Sequence, residues 1–80
     1  MKVVLKLPKL SMNMDEATVV TWHRNVGEGF AAGDIIYSVE TEKVTSDIEA
    51  PCAGTMLEIL VAAGGEAEVG QSVCRIDKTD

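Results

Sequence analysis

Apolar and polar residues alternate with a period of two along several short stretches of this chain. Val3, Leu5 and Leu7 stand against Lys2, Val4 and Lys6, and Leu57, Ile59 and Val61 stand against Met56, Glu58 and Leu60. Successive side chains on a strand point to opposite faces, so each stretch predicts a strand with its first-named set in a core. Val44 and Ile48 share one face of residues 44–49, with Thr45, Asp47 and Glu49 on the other. Residues 17–24 are rich in Thr and Val and include Trp22 but lack clean alternation; composition alone makes them a strand. Seven glycines, at positions 27, 29, 33, 54, 64, 65 and 70, leave little uninterrupted length for a helix. The fold class this spacing predicts is all-β, a sandwich or flattened barrel.

The chain also repeats itself. A shift of 37 positions lays residues 26–40 over 63–77, matching Gly27 with Gly64, Gly33 with Gly70, Ile36 with Val73, Val39 with Ile76 and Glu40 with Asp77. Two copies fall short of the roughly three that a stacked repeat array needs, so a closed domain with pseudo-twofold symmetry fits better. In such a domain the crossover between the halves and the two termini occupy equivalent places at opposite ends. The repeat also resolves an ambiguity around residues 35–49, which pattern alone reads as one long strand. Residues 72–77 end near the end of the chain, so their counterparts 35–40 end just before Lys43. That lysine then falls on a tight turn; Glu42-Lys43 lacks the Gly or Asn of a primed hairpin turn, and type I accepts most residues.

Composition sets limits on what the chain does. With 80 residues, 46% hydrophobic and 25% charged, and no Ser/Pro-rich linker, it is expected to form one small domain over residues 1–80. A chain of this size has room for one core and none for a large catalytic cleft. The net charge of −6 opposes nucleic acid and anionic membrane as partners, since both call for basic patches. No apolar stretch approaches the roughly 20 residues of a membrane span, and the opening residues have too short an apolar run for a signal peptide, which points to the cytoplasm. The two cysteines, Cys52 and Cys74, form no CxxC pair. Cys74 reads as core filler, and with His23, read as a strand-surface residue, the two lack the spacing and the fourth ligand of a zinc site. Trp22 reads as packing. One histidine without a catalytic constellation around it argues against catalysis by these 80 residues, and no catalytic or metal-ligating set is assigned.

Lys43 is therefore the candidate working group. On its own, a lysine among Glu40, Glu42, Asp47 and Glu49 is an ordinary solvated turn residue, with ion pairs worth little. The repeat, and the residues flanking it, set it apart.

Those flanking residues carry a family resemblance over nearly the whole chain. Leu7-Pro8-Lys9-Leu10-Ser11-Met12-Asn13-Met14-Asp15-Glu16-Ala17-Thr18-Val19-Val20-Thr21-Trp22, then Val26-Gly27-Glu28-Gly29, Gly33-Asp34, Glu40-Thr41-Glu42-Lys43, Glu49-Ala50-Pro51 and Gly54 resemble the lipoyl domain of dihydrolipoyl acyltransferases of 2-oxo acid and acetoin dehydrogenase complexes. The resemblance implies a flattened barrel of two four-stranded sheets with lipoate in amide linkage to Lys43 at a hairpin tip, Glu42 and Val44 flanking it. It also implies the partners: a lipoate-protein ligase or lipoyl transferase, a thiamine diphosphate-dependent dehydrogenase that acylates the dithiolane, an acyltransferase core that passes the acyl group to coenzyme A, and dihydrolipoyl dehydrogenase. In this family the loop beside the hairpin, here Ser11, Met12, Asn13, Met14, Asp15 and Glu16, helps partner enzymes recognise the domain; Met12 and Met14 have the alternative of covering the core. The acids around Lys43 serve either as a recognition surface or as solvation for the tip.

A lysine amine has a pKa of about 10.4, so the attaching enzyme must meet it exposed and bring an activated acyl group. Glu42 stands where Asp is usual before the lysine, and Val44 where Ala is frequent after it. The rivals are a biotin carrier domain, whose lysine normally lies between two methionines, and an unmodified assembly module of the same fold. On this reading the domain carries and others catalyse, within a parent polypeptide that is an acyltransferase.

Overall fold

Four glycines turn the chain at equivalent points of the repeat. Gly27 and Gly64 have φ of 92° and 91°, and Gly33 and Gly70 have 89° and 88°. Each is the third residue of a four-residue turn closed by a backbone bond, Glu28 N to Asn25 O, Gly65 N to Ala62 O, Asp34 N to Ala31 O and Gln71 N to Glu68 O, at 2.9–3.1 Å. A positive φ at that position is what a type II turn requires and what glycine supplies without steric cost. The side chains of Asp34 and Gln71 fasten the second pair of turns alike, accepting from the amides of Ala31 and Glu68 at 2.9 and 3.0 Å.

The structure, a computed structural model, describes residues 1–10, 12, 15–42 and 44–79. Eight strands follow in order: β1 (Lys2–Lys6), β2 (Glu16–Trp22), β3 (Gly29–Phe30), β4 (Ile35–Glu40), β5 (Thr45–Glu49), β6 (Gly54–Ile59), β7 (Glu66–Glu68) and β8 (Ser72–Lys78). They build two four-stranded sheets, β1-β8-β6-β3 and β5-β4-β2-β7, antiparallel throughout. The expected all-β architecture of two four-stranded sheets is what the chain forms. Among the described residues no helix is long and apolar enough to cross a membrane.

The pseudo-twofold relation holds residue by residue. The pairs Thr18–Glu40, Val19–Val39, Thr21–Ser38 and Trp22–Tyr37 reappear 37 positions later as Thr55–Asp77, Met56–Ile76, Glu58–Arg75 and Ile59–Cys74. β1 meets β8 as β5 meets β4, with Lys2–Asp77 answering Thr45–Glu40 and Leu5–Cys74 answering Ile48–Tyr37.

The expected burial of β1 is found, with Val3 and Leu5 partly buried and Leu7 at 1% exposure. β6 differs from expectation. Met56 is fully buried and Leu57 is exposed, because the ladder slips between Met56 and Glu58, making Leu57 the extra residue of a bulge. A bulge reverses which parity faces inward, so Ile59 and Val61 still reach the core from beyond it. β2 slips at the equivalent place, between Val19 and Thr21. That slip is the physical reason its sequence shows no clean alternation.

The core joins both sheets through Leu7, Val19, Phe30, Ile36, Tyr37, Val39, Met56, Val73, Cys74 and Ile76. Large and small residues are traded between the halves: Phe30 lies opposite Gly54, whereas their counterparts Ala67 and Ala17 face each other. Trp22 packs on Tyr37 with ring centroids 4.7 Å apart and donates its indole N–H to the Val61 carbonyl at 2.8 Å, so it is a packing residue as expected. Cys74 fills the core without any exposure, and burial raises its thiol pKa to about 11. Burial, with the nearby Cys74 second, pushes the Tyr37 hydroxyl upward as well.

Two expectations follow. A Cβ on Gly54 would stand 2.6 Å from the Asp77 carbonyl oxygen, while one on Gly29 would find nothing nearer than 3.7 Å. Gly54→Ala should cost about 1–3 kcal/mol in urea unfolding and Gly29→Ala under about 0.5 kcal/mol; equal losses would refute the close-approach account. The raised Cys74 pKa means the fold holds a proton that the unfolded chain releases from about pH 8.5. Stability is therefore intact below that pH and declines up to about pH 11. Urea titrations across this range should show a smaller alkaline decline for Cys74→Ala than for the parent chain.

Candidate functional site

β4 and β5 form the hairpin that joins the two halves, and its last ladder pair is Glu40–Thr45. Beyond it the Thr41 amide donates to the Val44 carbonyl at 2.8 Å, and the Thr41 hydroxyl reaches the same oxygen at 3.2 Å. By sequence, positions 42 and 43 are the connection that this bond closes, which removes the alternative of one continuous strand. Lys43 itself lies outside the described residues, as do Ser11, Asn13 and Met14. Its sequence neighbours Glu42 and Val44 are exposed, Val44 at 58%, and so are Glu40 and Thr45. These residues line a shallow polar recess together with Thr41.

At the opposite end of the long dimension of the repeat, the termini imitate this closure. Lys78 N donates to the Met1 carbonyl at 2.7 Å, in the place that Thr41 and Val44 occupy on the hairpin, and the Met1 ammonium meets Asp77 at 2.9 Å. The expected equivalence of crossover and termini is thus a matter of matched hydrogen bonds.

The loop before β2 arrives at the same end as the hairpin. Thr18 pairs with Glu40, and Glu16 lies two residues further toward the tip, opposite Glu68. Asp15 and Glu16 are exposed, and the Asp15 carbonyl accepts from the Val69 amide at 2.9 Å. Met12 is 91% exposed, so it does not cover the core. The described loop residues Met12, Asp15 and Glu16 are therefore exposed, with Asp15 and Glu16 at the hairpin end.

A polar chain that sequence reasoning missed ties the base of the hairpin. Ser38 on β4 lies directly opposite Asp47 on β5 and donates its hydroxyl to that carboxylate at 2.7 Å. With its single proton so engaged, Ser38 accepts from His23 Nε2 at 2.9 Å, which fixes the hydrogen on that nitrogen. Ser38 is 6% exposed, and His23 sits just beyond β2 on the surface, as expected. In a hydrolytic triad the imidazole lies between serine and acid and takes the serine proton. Here the order differs, and the arrangement fastens strands. Residues 23, 38 and 47 form no motif; the available signal was a lone serine between the core residues Tyr37 and Val39. Among the described residues no group of three or more His, Cys, Asp or Glu is placed to hold a metal ion, and both cysteines are free.

An all-β domain that closes its two halves with an exposed hairpin has the form of a carrier domain. The chain belongs to the biotin/lipoyl attachment family: the model described as "Biotin-requiring enzyme" matches residues 3–76. It is 38% identical to the dihydrolipoyllysine-residue acetyltransferase component of the acetoin cleaving system of Bacillus subtilis, across 95% of this chain and 19% of that protein. It is 32% identical to the dihydrolipoyllysine-residue succinyltransferase component of the 2-oxoglutarate dehydrogenase complex of Rickettsia conorii, across 98% of this chain and 20% of the other. The solution structure of the lipoyl domain of the 2-oxoglutarate dehydrogenase complex from Azotobacter vinelandii superposes with a TM-score of 0.78 at 26% identity, covering 98% of this chain and 99% of that domain. These matches group the chain with the lipoyl carrier domains of acyltransferase components. It spans about a fifth of the length of the acyltransferase relatives.

Removing the buried Ser38 hydroxyl takes one hydrogen-bond partner from each of the surface groups Asp47 and His23. Ser38→Ala should cost about 1–3 kcal/mol, read as a lower urea midpoint, with Arg75→Ala on the equivalent exposed position costing under about 0.5 kcal/mol. Similar costs would show that the chain is incidental.

Proposed function

We propose that Lys43 bears lipoate in amide linkage and that residues 1–80 work as one carrier domain. The observation that carries this is the β4–β5 hairpin, whose Thr41–Val44 bond closes the sequence positions 42 and 43 at an exposed tip, in a chain whose relatives are lipoyl-bearing acyltransferase components. When attached, lipoate supplies a dithiolane that takes an acyl group from a thiamine diphosphate-dependent dehydrogenase, yields it to coenzyme A at an acyltransferase core and is reoxidised by dihydrolipoyl dehydrogenase. The protein's own part is presentation. The Thr41–Val44 backbone bond and the exposure of Glu42 and Val44 support a tip that a lipoate-protein ligase or lipoyl transferase can reach. Tethering then replaces diffusion by a high local concentration at each partner.

Glu42 and Val44 oppose a biotin carrier, whose lysine normally has methionine on both sides. The exposed acids Asp15, Glu16, Glu40 and Glu42 gather at the hairpin end, which supports a recognition surface for the partner enzymes, with exposed Met12 as its apolar element. The parent polypeptide is read as a dihydrolipoyl acyltransferase of a 2-oxo acid or acetoin dehydrogenase complex. Free Cys52 and Cys74 suit the reducing cytoplasm.

Incubation with lipoate, ATP and a lipoate-protein ligase should add one lipoyl increment to the intact mass, and none to Lys43→Arg, whose unfolding midpoint should be unchanged. A biotinyl increment from a biotin ligase, or no increment from either enzyme, would overturn the reading.

A further inference from the structure

The pseudo-twofold relation supplies an internal control for the hairpin. Both junctions are closed by a backbone bond of the same kind, Thr41 N to Val44 O at 2.8 Å and Lys78 N to Met1 O at 2.7 Å. At the hairpin alone a side-chain hydroxyl adds a second donor to the accepting carbonyl, Thr41 Oγ1 to Val44 O at 3.2 Å. Position 78, its counterpart, is a lysine and offers no hydroxyl. A carbonyl oxygen has two lone pairs, so one oxygen takes both donors.

We propose that Thr41 is a positioning residue for the attachment reaction, giving the Val44 carbonyl two donors so that the described flanks of the connection, Thr41 and Val44, are held together when the ligase binds. The inference rests on the carrier reading and deepens it. Thr41 is partly buried and lies two positions before Lys43, so it acts by fixing the frame while Glu42 and Val44 remain exposed for contact. A β-branched residue also has a restricted χ1, which limits where its hydroxyl can point. Threonine therefore combines restriction and hydrogen bonding where valine would give the first alone. The hydroxyl bond is longer than the usual 2.7–2.8 Å for O–H···O, which sets a modest scale for its effect.

The test compares lipoate attachment to the 80-residue chain and to Thr41→Val, Thr41→Ser and Ser38→Ala, with kcat/KM read from intact mass against time. Thr41→Val should attach about two- to fivefold more slowly, Thr41→Ser should regain the parent rate, and amide exchange at residue 41 should quicken only in Thr41→Val. Ser38→Ala should unfold earlier yet attach at the parent rate, which separates positioning from general stability. Attachment to Thr41→Val at the parent rate, or equal slowing in Ser38→Ala, would overturn the proposal. The parent chain is assayed first: if it takes up no lipoate, the carrier reading itself fails and the role of Thr41 falls with it.

Discussion

Each sheet of this domain draws two strands from each half of the repeat, and the rest of the structure depends on that exchange. β1 and β3 of the first half share a sheet with β6 and β8 of the second, while β5 and β7 join β2 and β4. Neither half has a complete sheet without the other, so the buried face of every strand is covered only once both are in place. The exchange creates two equivalent junctions. One is bridged by the chain itself as the β4–β5 hairpin; the other is bridged by hydrogen bonds between Met1 and Lys78 and an exposed ion pair worth under about 1 kcal/mol. The hairpin is thus the junction that the chain itself closes covalently.

The repeat behind this exchange was legible in the sequence because turn glycines and core apolar positions match between the halves at one fixed offset. Gly27, Gly33, Gly64 and Gly70 revealed both the repeat and the points where the chain reverses, since backbone geometry at positive φ leaves few other residues available. The end of β4 before Lys43 followed from the end of β8 by the same offset. The bulges were less legible. A period-two pattern assumes an unbroken ladder, so Leu57 looked like a core residue when the extra position made Met56 the buried one. The same blindness left β2 without a readable pattern. The His23–Ser38–Asp47 chain was hidden for a different reason: side-chain hydrogen bonds between three strands depend on register, which a hydrophobic pattern sets only after the bulges are known.

Symmetry of backbone did not require symmetry of chemistry. Phe30 over Gly54 and alanine against alanine at the counterpart fill similar space by different divisions, as close packing permits when total volume is kept. Trp22 with Tyr37, against Ile59 with Cys74, is a second such division. The sheet that carries the hairpin received the larger aromatic pair and the polar chain, whereas the equivalents of His23, Ser38 and Asp47 are Leu60, Arg75 and Val4. Specialisation has collected around one junction of an otherwise duplicated frame.

That distribution accords with a carrier. A domain visited by several enzymes gains little from an enclosed site, because the reacting group must enter each partner in turn. It gains from a frame that fixes where the group begins and from a surface that partners can recognise. Glu16 facing Glu68 across β2 and β7 is unfavourable within the isolated sheet, as like charges directly opposite are. Their place at the hairpin end, beside exposed Asp15, Glu40 and Glu42, concentrates acidic charge there, which fits the recognition surface proposed above. The domain thus keeps its apolar contacts inside for stability and gathers outer charge at the end where the proposed function puts attachment.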